Sequence, residues 1–239
     1  MRFVGVDGCR AGWIAAGIDT DFNGELKLFP ELAMLWDEFR ESSMILIDIP
    51  IGLPSSRARE CDILARKILK SRPSSIFPAP CRDAVYAANY RDASLINQKT
   101  LGKKLSVQTW NIIPKIRQTD ILLSSQGQAR IKIHESHPEI CFQSLNGQPL
   151  KNSKKTIHGV NKRLQILNNI QLSLPKIYNT ALSRFKRSDV ARDDILDALI
   201  LAVTAASPPE MIKSIPEHPD KDAYGFPMEI LYPDSSSRF

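Results

Sequence analysis

Glycine is scarce in this chain. Only 11 of the 239 residues are glycine, and they are scattered. No glycine-rich loop of the kind that cradles nucleotide phosphates is visible. Cysteine is scarcer still. Cys9, Cys61, Cys81 and Cys141 are far apart and form no Cys-x-x-Cys pair, which gives no support to a zinc site or a disulfide framework. They read as reduced thiols of a cytoplasmic protein, and Cys9 as a small residue in a tight turn rather than a nucleophile. Long apolar runs are missing too. The longest, residues 195–206, is interrupted by Asp197 and is shorter than the roughly 20 residues a spanning helix needs. No apolar segment of a signal peptide follows Met1 and Arg2. Neither a membrane partner nor export by a cleaved signal is expected. No internal repeat and no linker-like stretch divides the chain.

What the chain has is an excess of basic charge, +6 overall. It falls in two stretches. Arg57, Arg59, Arg66, Lys67, Lys70 and Arg72 form one, and Lys151, Lys154, Lys155, Lys162 and Arg163 the other. Taken alone, both read as solvated helix and loop faces. Nucleic acid becomes a candidate partner only if something else in the chain handles phosphate.

Periodicity gives the architecture. Residues 2–8 are an apolar strand ending at Asp7-Gly8, 13–18 a second strand, and Asn23-Gly24 a hairpin turn into a third at 26–29. Leu32, Leu35, Trp36 and Phe39 then recur at helical spacing. A fourth strand is expected over 44–49. Residues 57–69 read as a helix and 71–80 as a loop. Residues 83–125 read mainly as helix, broken at Pro114. Alternation over 130–135 predicts a fifth strand that places Ile131, Ile133 and Glu135 on one face. Residues 148–159 read as a basic loop, 160–169 and 176–185 as helices, 195–206 as a buried helix, and 228–231 as a short strand. The expectation is an α/β protein: one domain over 1–233, a mixed five-stranded sheet flanked by helices, a helical insertion at 70–129, and a frayed tail at 234–239.

The chemistry is carried by acids in apolar surroundings. Asp7 closes the first strand, and Asp48 stands between Ile47 and Ile49. Asp194 and Asp197 share a helical face three residues apart. Asp193 or Asp194 is explained by capping at a helix start, but Asp197, one turn further into a buried helix, is not. Glu135 continues the apolar row of the fifth strand, with a salt bridge to a basic neighbour as its structural alternative. His134 and His137 read as structural. An ionised carboxylate is costly to bury unless it is paired, hydrogen-bonded or on a metal. Several from separate core elements point to a shared Mg2+ or Mn2+, whose preferred donors are oxygens. Two such ions about 3.5–4 Å apart activate a water and stabilise the leaving oxygen in phosphodiester hydrolysis. Asp48 would bridge them, with Asp7 completing one site and Asp194 or Asp197 the other.

Three motifs carry a family resemblance: Val4-Gly5-Val6-Asp7-Gly8-Cys9-Arg10-Ala11-Gly12-Trp13, Ile47-Asp48-Ile49-Pro50-Ile51-Gly52-Leu53-Pro54 and Asp193-Asp194-Ile195-Leu196-Asp197-Ala198. Residues 59–66, Glu135-Ser136-His137-Pro138-Glu139 and Lys154-Lys155-Thr156 with Gly159 and Arg163 extend it over most of the chain. Together they resemble an uncharacterised family of predicted nucleases, domain of unknown function family 429. The resemblance implies a ribonuclease-H-like fold and a metal-dependent nuclease using Asp7, Asp48, Glu135, Asp194 and Asp197. The last helix also looks like that of Holliday-junction resolvases. By the same resemblance, Arg59, Asp62, Arg66, Arg82, Lys154, Lys155 and Arg163 line the cleft, the basic ones as substrate ligands. Two other readings stay open: a nucleotide-binding phosphotransferase or ATPase-like protein of the same superfamily, and a non-catalytic nucleic-acid-binding module. Substrate and oligomeric state are left undetermined.

Overall fold

The N-terminal hairpins form where the turn residues place them. In the computed structural model, which describes residues 1–70 and 75–234, β1 (Phe3–Cys9), β2 (Gly12–Ile18) and β3 (Gly24–Phe29) are antiparallel in chain order. The first turn is tighter than expected. β1 runs on through Asp7 and Gly8 until Cys9 pairs with Gly12. Gly12 has φ of +133°, and a Cβ there would lie 2.2 Å from the Phe29 carbonyl oxygen, so the turn requires glycine. α1 (Leu32–Phe39) buries the four residues its spacing selects. β4 (Met44–Ile47) returns parallel to β1, and β5 (Ile133–Glu135) lies parallel to β4. The sheet order is β3-β2-β1-β4-β5. This mixed five-stranded sheet, with helices on both faces, is ribonuclease-H-like.

Between β4 and β5 the chain makes α2 (Glu60–Ile68), α3 (Arg82–Val85), α4 (Tyr90–Leu101), α5 (Val107–Ser125) and α6 (Gly127–Lys132). After β5 come α7 (Pro138–Asn146), α8 (Ile157–Ile170), α9 (Ser173–Arg184) and α10 (Arg192–Ala205). A two-stranded antiparallel sheet, β6 (Ile212–Ile215) with β7 (Ile230–Pro233), ends the described chain. Strand alternation sorts the core into two layers. Val4, Val6, Trp13, Ile45 and Ile47 pack with α1 and with Ile113 and Ile116 of α5. Ile14, Ala16 and Leu46 face the other way, onto Leu199 of α10 and Phe142 of α7. No described helix is long and apolar enough to cross a membrane.

α10 lies directly on β1, and Gly5 is the reason. A Cβ at Gly5 would fall 2.1 Å from both the Ala198 carbonyl oxygen and the Ala202 nitrogen. Only a residue without a side chain lets helix and strand backbones approach so closely. The contact sets the N-terminal turns of α10 beside the C-terminal end of β1.

Several local expectations need correction. β4 stops at Ile47, so Asp48 stands just beyond the strand, although its amide still donates to the Val6 carbonyl at 3.0 Å. β5 has three residues, not six. Arg130 to Lys132 are the last turn of α6, and Ile131 is 67% exposed instead of sharing a face with Ile133. Ala129 and Ile133, both buried, are four apart, a helical spacing that the alternation concealed. Pro114 lies inside an unbroken α5, where packing of Ile113 and Ile116 overrides the lost hydrogen bond. β7 sits two residues later than expected, and its partner β6 was not foreseen. Residues 71–74 of the expected loop, with Arg72, and residues 235–239 of the expected frayed tail lie outside the described residues.

Candidate functional site

Parallel pairing of β1 with β4 puts their C-terminal ends at one edge of the sheet. Asp7 and Asp48 therefore stand on neighbouring strand ends. Asp197 precedes Ala198, whose carbonyl faces Gly5, so α10 brings a third carboxylate to the same end. Asp7 is 8% exposed and Asp197 fully buried. One Asp7 oxygen, Oδ1, accepts from the Gly8 amide at 2.7 Å. Asp197 Oδ2 accepts from Lys154 Nζ, while Asp197 Oδ1 is buried with no hydrogen-bond partner.

The three carboxylates act on one another. Burial, then the charges of Asp197 and Asp48, hold the Asp7 carboxyl well above the usual range. Burial lifts Asp197 to about 7, with Lys154 pulling it down and Asp48 pushing it up. Burial alone would lower the Lys154 ammonium, but Asp197, Asp7 and Asp48 outweigh it and keep that group firmly protonated. Lys154 is thus the cation in direct contact with the cluster, while Lys115 acts by charge on Asp7 and Asp194.

A cavity of about 420 Å3 opens beside this cluster, with Asp7, Asp48, Lys154, Lys155 and Asp193 on its wall. Ile49, Ile76, Phe77, Ile112 and Ile230 form an apolar side. Lys115, from α5, also lines it. Its ammonium donates to the Gly12 carbonyl at 2.5 Å and lies 4.6 Å from the Trp13 ring centroid. Burial lowers the Lys115 pKa. The sequence offered no signal for Lys115, a lone lysine in a helical stretch. His137, expected to be structural, is also at the cavity. Its Nδ1 is buried and unpartnered, and its Nε2 is 3.2 Å from the Ser75 carbonyl oxygen.

The other acids divide. Asp194 Oδ2 accepts from the Ala191 amide at 2.8 Å and so caps α10. Asp193 is the one on the cavity wall, 3.9 Å from the Lys154 ammonium. Asp194 still acts by charge on Asp7, and Lys154 and Lys115 act on it, so it stands at the edge of the cluster while Asp197 and Asp193 are the acids of α10 nearest the Lys154 ammonium. Glu135 reaches the cavity wall, but its carboxylate is held by Arg59 at 2.6 and 2.8 Å and by the Ile51 amide at 2.6 Å. The salt bridge is the role it fills in this structure.

The basic residues named as substrate ligands divide as well. Arg59 is 2% exposed and grips Glu135, Asp62 and the Ile51 carbonyl at once. Arg163 is fully buried on both oxygens of Glu139, at 2.6 and 2.7 Å. Arg82 is held by Asp120 and Asp222 beneath the Tyr224 ring. Arg66 donates to the Ile76 carbonyl at 3.3 Å. These four bind the protein to itself. Of the set, Arg59, Lys154 and Lys155 line the cavity, and the two lysines are the ones not locked into a buried arginine–carboxylate pair.

The donors at the cluster are carboxylate oxygens, which suit hard divalent cations. The unpartnered Oδ1 of Asp197 is a ready ligand among them. As the side chains stand, no group of three or more histidine, cysteine, aspartate or glutamate residues among the described residues is arranged to hold a metal ion.

A family model described as "Protein of unknown function (DUF429)" matches residues 5–221. The chain belongs to the DUF429 family. No curated protein and no solved structure matches it. The matched span of this DUF429 chain contains every carboxylate of the cluster.

Proposed function

We propose that this protein is a divalent-cation-dependent phosphodiester hydrolase, a nuclease in the broad sense. The observation that carries the reading is Asp197 Oδ1. It is a carboxylate oxygen with no hydrogen-bond partner, in a fully buried residue beside Asp7 and Asp48. An uncompensated buried oxygen of this kind is costly unless a ligand completes it. Asp7, Asp48 and Asp197 would hold the ion. A bound Mg2+ or Mn2+ supplies charge neutralisation at phosphoryl oxygen and a water of lowered pKa. Lys115 and Lys155 line the same cavity, and their ammonium groups would donate to phosphate oxygens bound there. The apolar wall of Ile76, Phe77, Ile112 and Ile230 excludes water from one side of the reacting group and offers a surface for a base or sugar.

The cavity, about 420 Å3, is at the lower end of the range for ligand sites. It favours a substrate that inserts one nucleotide or one phosphate ester over a duplex laid along a groove. A cytoplasmic setting goes with this reading, supported by four buried, free cysteines. Purified protein is expected to cleave single-stranded DNA or RNA, or bis-p-nitrophenyl phosphate, with Mn2+ or Mg2+ and not with EDTA. Asp48→Asn should abolish cleavage while leaving the melting curve intact. Binding of nucleic acid without cleavage, unchanged in Asp48→Asn, would replace this reading with a non-catalytic one.

A further inference from the structure

The carboxylate cluster already contains a cation. The Lys154 ammonium donates to Asp197 Oδ2 and lies 3.9 Å from Asp193 Oδ2. Asp7 and Asp48 also act on it by charge. Without it, Asp197 would lose its ion-pair partner and the three carboxylates would repel one another more strongly. A divalent cation bound to Asp197 would meet this ammonium on the same carboxylate, and two positive centres so close repel each other. Each occupancy disfavours the other.

The backbone carrying Lys154 is pinned. Arg163 Nη1 donates to the Asn152 carbonyl at 3.3 Å, and Thr156 Oγ1 donates to the Ser153 carbonyl at 2.9 Å and accepts from the Gly159 amide at 3.1 Å. A Cβ at Gly159 would stand 1.9 Å from the Ser153 carbonyl oxygen, so this loop lies hard against α8. The movable part is the lysine's four-carbon stem, which turns without moving the backbone. Its side chain is 26% exposed and lines the cavity, so the open space for it is where a substrate phosphate would sit.

We propose that Lys154 is a built-in counter-cation that fills the divalent-cation position of the resting protein and, on loading, swings from Asp197 into the cavity to meet the substrate phosphate. This rests on the hydrolase reading above. It adds a coupling: cation entry frees the ammonium, and a phosphate that captures the ammonium favours cation entry.

Mn2+ alone, with no nucleic acid, is the probe. Calorimetric titration of Mn2+ into wild-type protein, Lys154→Gln and Lys154→Arg should show Lys154→Gln binding at least about tenfold more tightly than wild type. Lys154→Arg, which keeps the charge, should bind no more tightly than wild type. Equal or weaker binding by Lys154→Gln overturns the counter-cation role and leaves the metal reading standing, provided wild type binds. Absence of binding in all three overturns both. A second readout needs no variant. In wild-type protein carrying ε-13C-lysine, the Lys154 resonance should shift as Mg2+ is added. A resonance that stays fixed while Mg2+ binds overturns the swing.

Discussion

Gly5→Ala should destabilise the protein and damage the site without touching a carboxylate. The added methyl would lie 2.1 Å from the Ala198 carbonyl oxygen and the Ala202 nitrogen. Non-bonded carbon contacts are comfortable only from about 3.5 Å, so α10 must retreat from β1 by about 1 Å or more. Both clashing atoms are backbone atoms inside the core, where no rotamer change relieves them. Overpacking typically costs about 1–3 kcal/mol, and this geometry belongs at the upper end. For a domain of this size that is a fall in melting temperature of roughly 6–12 °C. Because Asp197 travels with α10, Mn2+ affinity should fall further than global unfolding explains. Thermal denaturation followed by circular dichroism, with Mn2+ titration below the transition, measures both. Gly127→Ala is the control, since its Cβ would meet nothing within 4 Å, and it should melt at or above wild type. If Gly5→Ala melts within about 2 °C of wild type, the close β1–α10 contact does not hold the site together.

Arg59→Met should cost about 3–5 kcal/mol in chemical denaturation, because it leaves Glu135 and Asp62 buried without their partner; a loss under about 1 kcal/mol would show the ion pair to be dispensable. Asp7→Asn should raise the melting temperature of metal-free protein at pH 8. Burial and the neighbouring Asp197 and Asp48 raise the native Asp7 pKa above its unfolded value, so this carboxyl's contribution is most favourable at acid pH and is lost as pH rises toward the native pKa. The advantage of the variant should therefore shrink as pH is lowered toward 4, and a pH-independent difference would contradict the burial argument. Lys155→Ala changes an exposed side chain at the cavity mouth. It should raise KM for a phosphodiester several-fold with kcat and melting temperature little changed, and a fall confined to kcat would place Lys155 elsewhere in the reaction.

Much of the fold was legible because it is written locally. The alternation of β1 and β2, the Asn23-Gly24 turn and the stripe of α1 each depend on residues within a few positions of one another. The acids at Asp7, Asp48 and Asp197 stood out for the same reason, as charges inside short apolar runs. What escaped depends on residues remote in the chain. Arg59 meets Glu135 from 76 residues away, and Arg163 meets Glu139 from 24. In the sequence they look like parts of basic clusters, and only the fold shows them neutralised. Lys154 stood out only as one of a basic loop, since its place on Asp197, 43 residues on, has no local signature. Lys115 reaches the cavity because α5 crosses the end of the β1–β2 hairpin. β5 shows the converse limit: three residues of strand after a helical turn imitate six residues of alternation.

Anomalous diffraction from a crystal soaked in Mn2+ tests most directly whether the buried carboxylates form a cation site. The predicted map has a peak bounded by Asp7, Asp48 and Asp197, with the Lys154 ammonium withdrawn from Asp197. A saturating soak that leaves Lys154 on Asp197 with no peak beside it, or that places manganese away from these three residues, would contradict it.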